Sequence, residues 1–167
     1  MSERLFVREL SSRLYTLKEE LRRLRSGPRV YKTRDFKWTG GPQHWNKNVV
    51  DPALGICQSL YVHIEEFAPG AHSKKHGHQN EAMFYVLDGR GHEVHDGQRY
   101  DWEAGDVVIV HDGCVHQHFN DDPGRPARAL VIKTKPLFMF LHLLFQDTVE
   151  PNPEEPSPTG RGYEPRD

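Results

Sequence analysis

The stretch GAHSKKHGHQNEAMFYVLDG, residues 70–89, places two histidines one residue apart directly before an apolar run. Side chains alternate along an extended chain, so His76 and His78 project to the same side, with Gly77 turned away between them. Histidine is the commonest metal ligand among the side chains. The stretch is therefore either half of a metal site at the edge of a β-fold or a polar loop rich in histidine.

Glu81 opens the strand that this apolar run predicts over residues 82–89. By alternation it shares a face with Met83, Tyr85 and Leu87, and these apolar neighbours indicate that the face looks into a core. An unpaired buried carboxylate is costly, so Glu81 there needs a partner, and a bound cation would provide one. Tyr85 either lines the core or hydrogen-bonds a substrate oxygen as a catalytic residue.

A second histidine pair lies in GDVVIVHDGCVHQHFN, residues 105–120. His116 and His118 share one face of a short predicted strand. One histidine of this pair, added to the first pair, gives a set of three histidines with at most one carboxylate. That ligand set suits a divalent transition metal and leaves coordination positions open for water or substrate.

The surrounding sequence predicts an all-β fold. Short β-type runs recur from residue 60 to residue 134, separated by Gly, Pro and Asp turn residues, and no helix-length segment interrupts them. Asp96-Gly97 is a strong signal for a two-residue hairpin. The spacing favours an antiparallel sandwich or barrel.

Residues 70–89 follow the pattern G-x5-H-x-H-x2-E-x7-G, and residues 105–120 follow G-x5-H-x-G-x2-H-x3-N. These patterns resemble the two conserved motifs of the cupin superfamily, a small antiparallel β-barrel also called a double-stranded β-helix. The resemblance covers roughly residues 60–134. It implies a single cupin domain whose barrel encloses a metal held by four ligands: His76, His78, Glu81 and His116.

The segment VHQHFN, followed by DDPGRPARAL, is most similar to gentisate 1,2-dioxygenase-like cupins. Those ring-cleaving enzymes hold Fe(II) with three histidines and no glutamate, and carry a further histidine where this chain has His118. Glu81 departs from that pattern and favours a three-His-one-Glu centre, as in quercetinase-like or acireductone-dioxygenase-like cupins. The short spacing between His78 and Glu81, and His111 where the second motif usually has proline, are further departures.

The resemblance implies a metal-dependent dioxygenase that uses O2 on a small oxygen-bearing substrate, either a hydroxylated aromatic acid or a dicarbonyl. Fe(II) is the first choice of metal, with Mn, Ni or Zn as alternatives, and His118 would transfer a proton. Two other functions stay open. One is non-redox isomerase, lyase or decarboxylase chemistry, and the other is a non-enzymatic cupin that binds a small ligand.

The hairpin around Asp96-Gly97 carries further polar candidates. In the usual cupin register Glu93 and His95 point inward, whereas a slip by one residue would put His92 and Val94 there instead. His118 itself is either a proton-transfer group beside the metal or a residue that lines the barrel.

Three regions are expected along the chain. Residues 1–29 form an amphipathic helix with a leucine-rich stripe, which packs on its own barrel or on another subunit in a homodimer. Residues 30–147 form the cupin barrel. Residues 148–167, rich in Pro, Glu and Gly, are expected to be disordered. The apolar run over residues 136–145 belongs to the core or is covered by another subunit.

Composition excludes several classes of function. The formal net charge is −2, so no basic surface indicates a nucleic-acid partner. The charged start of the chain is unlike a secretory signal, and the run over residues 136–145 is far shorter than the ~20 residues of a spanning helix. The chain holds two cysteines without metal-type spacing. We therefore expect a cytoplasmic protein with no membrane partner.

Overall fold

The computed structural model describes residues 18–167, and most of them form strands. One helix precedes the strands and another lies between the last two of them. The helices are α1 (Lys18–Ser26) and α2 (Lys135–Phe140). The strands are β1 (Thr39–Gly40), β2 (His44–Val50), β3 (Tyr61–Phe67), β4 (Lys75–His78), β5 (Ala82–Asp88), β6 (Arg90–His95), β7 (Gln98–Glu103), β8 (Val107–Val110), β9 (Val115–Asn120), β10 (Ala127–Lys133) and β11 (Gln146–Glu150).

The strands build two antiparallel sheets that face each other. The six-stranded sheet has the order β1-β2-β3-β10-β5-β8, and the five-stranded sheet has the order β11-β4-β9-β6-β7. Strands β3 and β10 pair along their full length, from Tyr61 opposite Lys133 to Phe67 opposite Ala127. This register holds the inward residues of both strands in fixed rows that face the other sheet.

Strand β5 faces the core with the side opposite to the one predicted from its sequence. Ala82, Phe84 and Val86 are buried in the core, whereas Tyr85 and Leu87 are 40% and 45% exposed on the outer side. Both alternating sets of this strand are apolar, so period-two patterning does not distinguish them. The prediction that Glu81 and Tyr85 look into the barrel is therefore wrong.

The hairpin between β6 and β7 turns at Asp96-Gly97, as predicted. Both residues have positive φ, 47° and 85°, which is the conformation of a two-residue turn with the right twist for a hairpin. The resulting register places Glu93 opposite His118 on β9 and opposite Tyr100 on β7. Glu93 is completely buried, so the register with Glu93 pointing inward forms, and the register shifted by one residue does not.

The end of the chain packs on the barrel, which differs from the disorder predicted for residues 148–167. Strand β11 pairs with β4, and Ser157, which is buried, donates a hydrogen bond of 2.6 Å to the carbonyl of Pro69. The Tyr163 hydroxyl donates to the Glu66 carboxylate, and its ring meets Trp45 edge-on. Composition shows that such a segment cannot form its own core, but it does not exclude docking on an existing one.

The apolar run over residues 136–145 lies largely on the surface. Its first half is α2, and its most exposed side chains are Leu137, Leu141, Leu143 and Phe145. The same run provides no membrane span, since within residues 18–167 every helix is too short or too polar to cross a bilayer. Of the helix predicted over residues 1–29, α1 is the part within the described range, so its subunit contact and the homodimer stay predictions.

Candidate metal centre and its cavity

Three buried histidines meet on the five-stranded sheet. His76 and His78 come from β4, and His116 comes from β9 directly opposite His76 in the register. The ring centroid of His116 lies 4.3 Å from that of His76 and 4.9 Å from that of His78. One ligand atom from each ring lies within 4.8 Å of the others, so the group has the dimensions of a metal centre.

Backbone carbonyls orient all three rings. The Nδ1 atoms of His76, His78 and His116 lie 3.4, 2.7 and 3.1 Å from the carbonyl oxygens of Lys74, Asn80 and Cys114. A carbonyl accepts only from a protonated nitrogen, so each Nδ1 carries the proton and each Nε2 keeps its lone pair. The Nε2 atom of His78 is buried and has no hydrogen-bond partner in the described part of the chain. A divalent metal fits these donors and would satisfy that nitrogen.

The three rings are held neutral, which is the form that binds a metal. Burial, reinforced by the charge of His118, lowers the pKa of His76 to about 3. Burial and then the charge of Lys133 lower the pKa of His78 to about 4. Burial lowers the pKa of His116 far below the ordinary range.

Gly77 allows strand β4 to lie close to β9. A Cβ atom at this position would stand 3.2 Å from the carbonyl oxygen of Cys114, the same carbonyl that orients the His116 ring. The glycine between the two histidines therefore helps set the distance between the two strands that carry the centre.

Two predicted site residues lie away from the centre. Glu81 is 62% exposed at its side chain, and its Oε1 atom lies 3.7 Å from Nδ1 of His111, which is 76% exposed. Tyr85 lies on the outer face of β5. Both residues were expected to point into the barrel, Glu81 as a metal ligand and Tyr85 as a catalytic residue. In the structure both point outward, because β5 turns its other face to the core.

His118 lies beside the centre and is paired with a carboxylate. Its Nδ1 atom is 2.6 Å from Oε2 of Glu93, whose Oε1 atom accepts a hydrogen bond of 3.1 Å from Trp102 Nε1. Burial alone would lower the pKa of His118, but the Glu93 carboxylate overcomes this and raises the pKa above the ordinary value. The ring is thus stabilised in its protonated form, in contrast to the neutral histidines next to it.

A cavity of about 280 Å³ opens beside the centre and is lined by His76, His78 and His118. Its other wall belongs to the six-stranded sheet and is polar, and sequence reasoning missed most of its residues. Oε1 of Glu65 lies 2.9 Å from His63 Nε2 and 3.7 Å from His44 Nε2. Lys133 completes this wall. Strand alternation does indicate that Lys133 points inward, since this residue continues the inward row of Ala129 and Val131. Polar residues are usually exposed, however, so a polar residue on such a row is easily assigned to the surface.

Three comparisons relate this fold and site to known proteins. A cupin-domain family model matches residues 63–133. Gentisate 1,2-dioxygenase 1 from Aquipseudomonas alcaligenes is 36% identical over 67 residues, which is 40% of this chain and 19% of that protein. The chain thus spans about a fifth of the curated dioxygenase that it matches.

Two solved structures share the fold. Salicylate 1,2-dioxygenase from Pseudoaminobacter salicylatoxidans, in its adduct with gentisate, has a TM-score of 0.61 at 18% identity, over 80% of this chain and 34% of its own. The polyketide cyclase RemF from Streptomyces resistomycificus has a TM-score of 0.56 at 19% identity, over 64% of this chain and 79% of its own.

Fold and site define an all-β protein of two antiparallel sheets with a buried cluster of three histidines. Residues 63–133 match the cupin-domain family model, and the cupin fold predicted from the two histidine motifs is confirmed. The chain is similar in sequence to a gentisate dioxygenase and in fold to a salicylate dioxygenase.

Proposed function

We propose that this protein is a metal-dependent cupin dioxygenase that acts on a small substrate with adjacent oxygen atoms. His76, His78 and His116 hold the metal, with Fe(II) as first choice, and Glu81 takes no part. The observation that carries this proposal is the set of three buried, neutral imidazoles whose Nδ1 atoms face backbone carbonyls. One ligand atom from each ring lies within 4.8 Å of the others, and His76 and His78 line a cavity of small-molecule size.

Fe(II) at a centre of this kind supplies redox chemistry with O2 and open positions for a substrate. The protein's own contribution begins with orientation, because fixed rings leave those positions facing the cavity. His118 lines the same cavity with its Nδ1 atom held by Glu93. Its Nε2–H is then the donor that the ring offers to a substrate oxygen, and this atom would give or take a proton.

The test starts with metal analysis of protein purified without added metal, followed by reconstitution with Fe(II). Oxygen consumption is then measured against catechols, gentisate-like acids and diketones. We expect substrate-dependent oxygen uptake that disappears in His76→Ala and His116→Ala and persists in the exposed control His111→Ala. Protein that binds no metal at neutral pH would contradict the proposal.

A second candidate is non-redox chemistry at the same centre, such as isomerisation, decarboxylation or a lyase reaction, with Zn, Ni or Mn as a Lewis acid. The support for this candidate is the fold similarity to the polyketide cyclase RemF, a similarity that spans most of the RemF chain. Substrate turnover without oxygen consumption in zinc-loaded protein would support this candidate. Tight ligand binding without turnover by any metal form would instead support a non-enzymatic binding protein.

A further inference from the structure

The wall of the cavity that faces the histidine centre carries a cation that has no partner among residues 18–167. Lys133 ends β10 on the inward row of that strand, is half-buried and lines the cavity. Among residues 18–167, no carboxylate lies within ion-pair distance of its Nζ atom, and no hydrogen bond forms there. A half-buried ammonium without an anion is costly, and burial accordingly lowers the pKa of Lys133.

The nearby carboxylate is engaged elsewhere. Oε1 of Glu65 lies between two histidines, 2.9 Å from His63 and 3.7 Å from His44. Burial alone would raise the pKa of Glu65, but these two histidines lower it well below its ordinary value, so the carboxylate is charged. Glu65 is nevertheless the one acidic side chain of the cavity lining, and Lys74 and Lys135 line it together with Lys133. The lining therefore carries more positive than negative charge.

A further buried donor or acceptor on this wall also lacks a partner. Among residues 18–167 the Nδ1 atom of His63 finds no hydrogen-bond partner, although only 2% of the residue is exposed. Unpaired buried polar atoms are rare in folded proteins and indicate a missing partner. The Nε2 atom of His63 faces the Glu65 carboxylate and carries the proton, so Nδ1 is an acceptor that needs a donor such as a hydroxyl. The unpaired ammonium of Lys133 is the group that indicates a negative charge on the ligand.

We propose that Lys133 is a specificity-determining residue that pairs with a carboxylate of the substrate, on the wall opposite the three histidines. This inference rests on the proposed function and narrows its substrate class. The substrate is an acid whose carboxylate stays off the metal centre, and its adjacent oxygens lie at the other end of the molecule. A neutral dicarbonyl would leave the ammonium of Lys133 unpaired, and it is therefore a poor substrate.

The test uses benzoate as the anionic probe and benzamide as its neutral counterpart of the same shape. Binding is measured by calorimetry on metal-free and zinc-loaded protein. We expect benzoate to bind both forms better than benzamide does. In Lys133→Met, benzoate binding should weaken by about 10- to 100-fold, the range for losing one charged hydrogen bond, with benzamide binding unchanged. Lys133→Arg, which keeps the charge, should recover much of the affinity.

Lys37→Met, at an exposed lysine outside the cavity, is the matched control and should bind both probes as the wild type does. Benzoate binding that is equal in Lys133→Met and wild type, or that requires the metal but not Lys133, would overturn the inference. Failure of this inference can be distinguished from failure of the proposed dioxygenase function. Oxygen uptake without the Lys133 effect rejects only the carboxylate site, and the Lys133 effect without oxygen uptake rejects only the dioxygenase.

Discussion

Two groups of buried histidines lie in or beside one cavity and have different hydrogen-bond partners. His76, His78 and His116 direct Nδ1 toward backbone carbonyls, whereas His118 and His63 lie beside the carboxylates of Glu93 and Glu65. A carbonyl orients an imidazole without adding charge, so burial keeps the first group neutral. A carboxylate favours the imidazolium, and Glu93 raises the pKa of His118, whereas burial outweighs Glu65 and lowers the pKa of His63.

The partner of each ring shows which histidines suit a metal. A neutral ring with a fixed Nδ1–H is prepared to donate its Nε2 lone pair, and His118 beside Glu93 is prepared to hold a proton. His116 and His118 are two residues apart on one strand and share its inward face. They nevertheless take different roles because their partners differ.

Removing one member of the neutral group gives the largest expected effect. His116→Ala should abolish stoichiometric metal binding, because two imidazoles remain where the centre needs three. Metal content after dialysis, measured by atomic emission, checks this, with His111→Ala as the exposed control. Retention of the metal in His116→Ala would show that the carbonyl-bound histidines are not the ligands.

Acid should destabilise the metal-free protein. Unfolded histidines bind protons near pH 6.5, whereas folded His76 and His78 do so only near pH 3 and 4. Between about pH 6.5 and 4 the unfolded state thus holds more protons, and each such proton costs about 1.4 kcal/mol of stability per unit fall in pH. His118 opposes this trend, because its raised pKa favours the folded state on acidification.

Urea unfolding of metal-free protein at pH 7 and pH 5 measures this dependence. We expect lower stability at pH 5 and a smaller difference between the two pH values in His78→Ala, which lacks one of the neutral rings. Equal stability at both values would show that these rings are not held neutral by the fold.

Glu93→Gln tests whether the two groups of histidines act independently. The amide can still accept from Trp102, but His118 loses its neighbouring charge, so the free energy of unfolding should fall by about 1–3 kcal/mol. Metal content should stay at the wild-type value, and the pKa of His118 should fall in an NMR titration. Glu103→Gln, on the exposed side of β7, is the control. Loss of metal in Glu93→Gln would remove the distinction between the groups.

Glu81→Ala is expected to have the smallest effect. This carboxylate is mostly exposed and lies near exposed His111, so metal content and stability should both stay close to wild type. Equilibrium dialysis against zinc gives the measurement. A drop in zinc affinity of tenfold or more would return Glu81 to the centre and restore the three-His-one-Glu hypothesis.

Strand patterning predicted the centre better than the rest of the cavity. The spacing of His76, His78 and His116 was sufficient because residues two apart share a face and the two cupin-like motifs agree in order. Strand β5 defeated the same reasoning, since both of its faces are apolar, and the error extended to Glu81 and Tyr85. Lys133 was overlooked because a charged residue at a strand end usually faces solvent.

From the sequence, the resemblance of the two motifs to cupins predicts the fold, turn chemistry predicts the turn at Asp96-Gly97, and strand alternation predicts which histidines share a face. Only the folded structure shows which face of β5 looks inward and how residues 148–167 pack on the barrel. It also decided which histidines receive a carbonyl and which a carboxylate. These depend on contacts between residues distant in the chain, and no local pattern encodes such contacts.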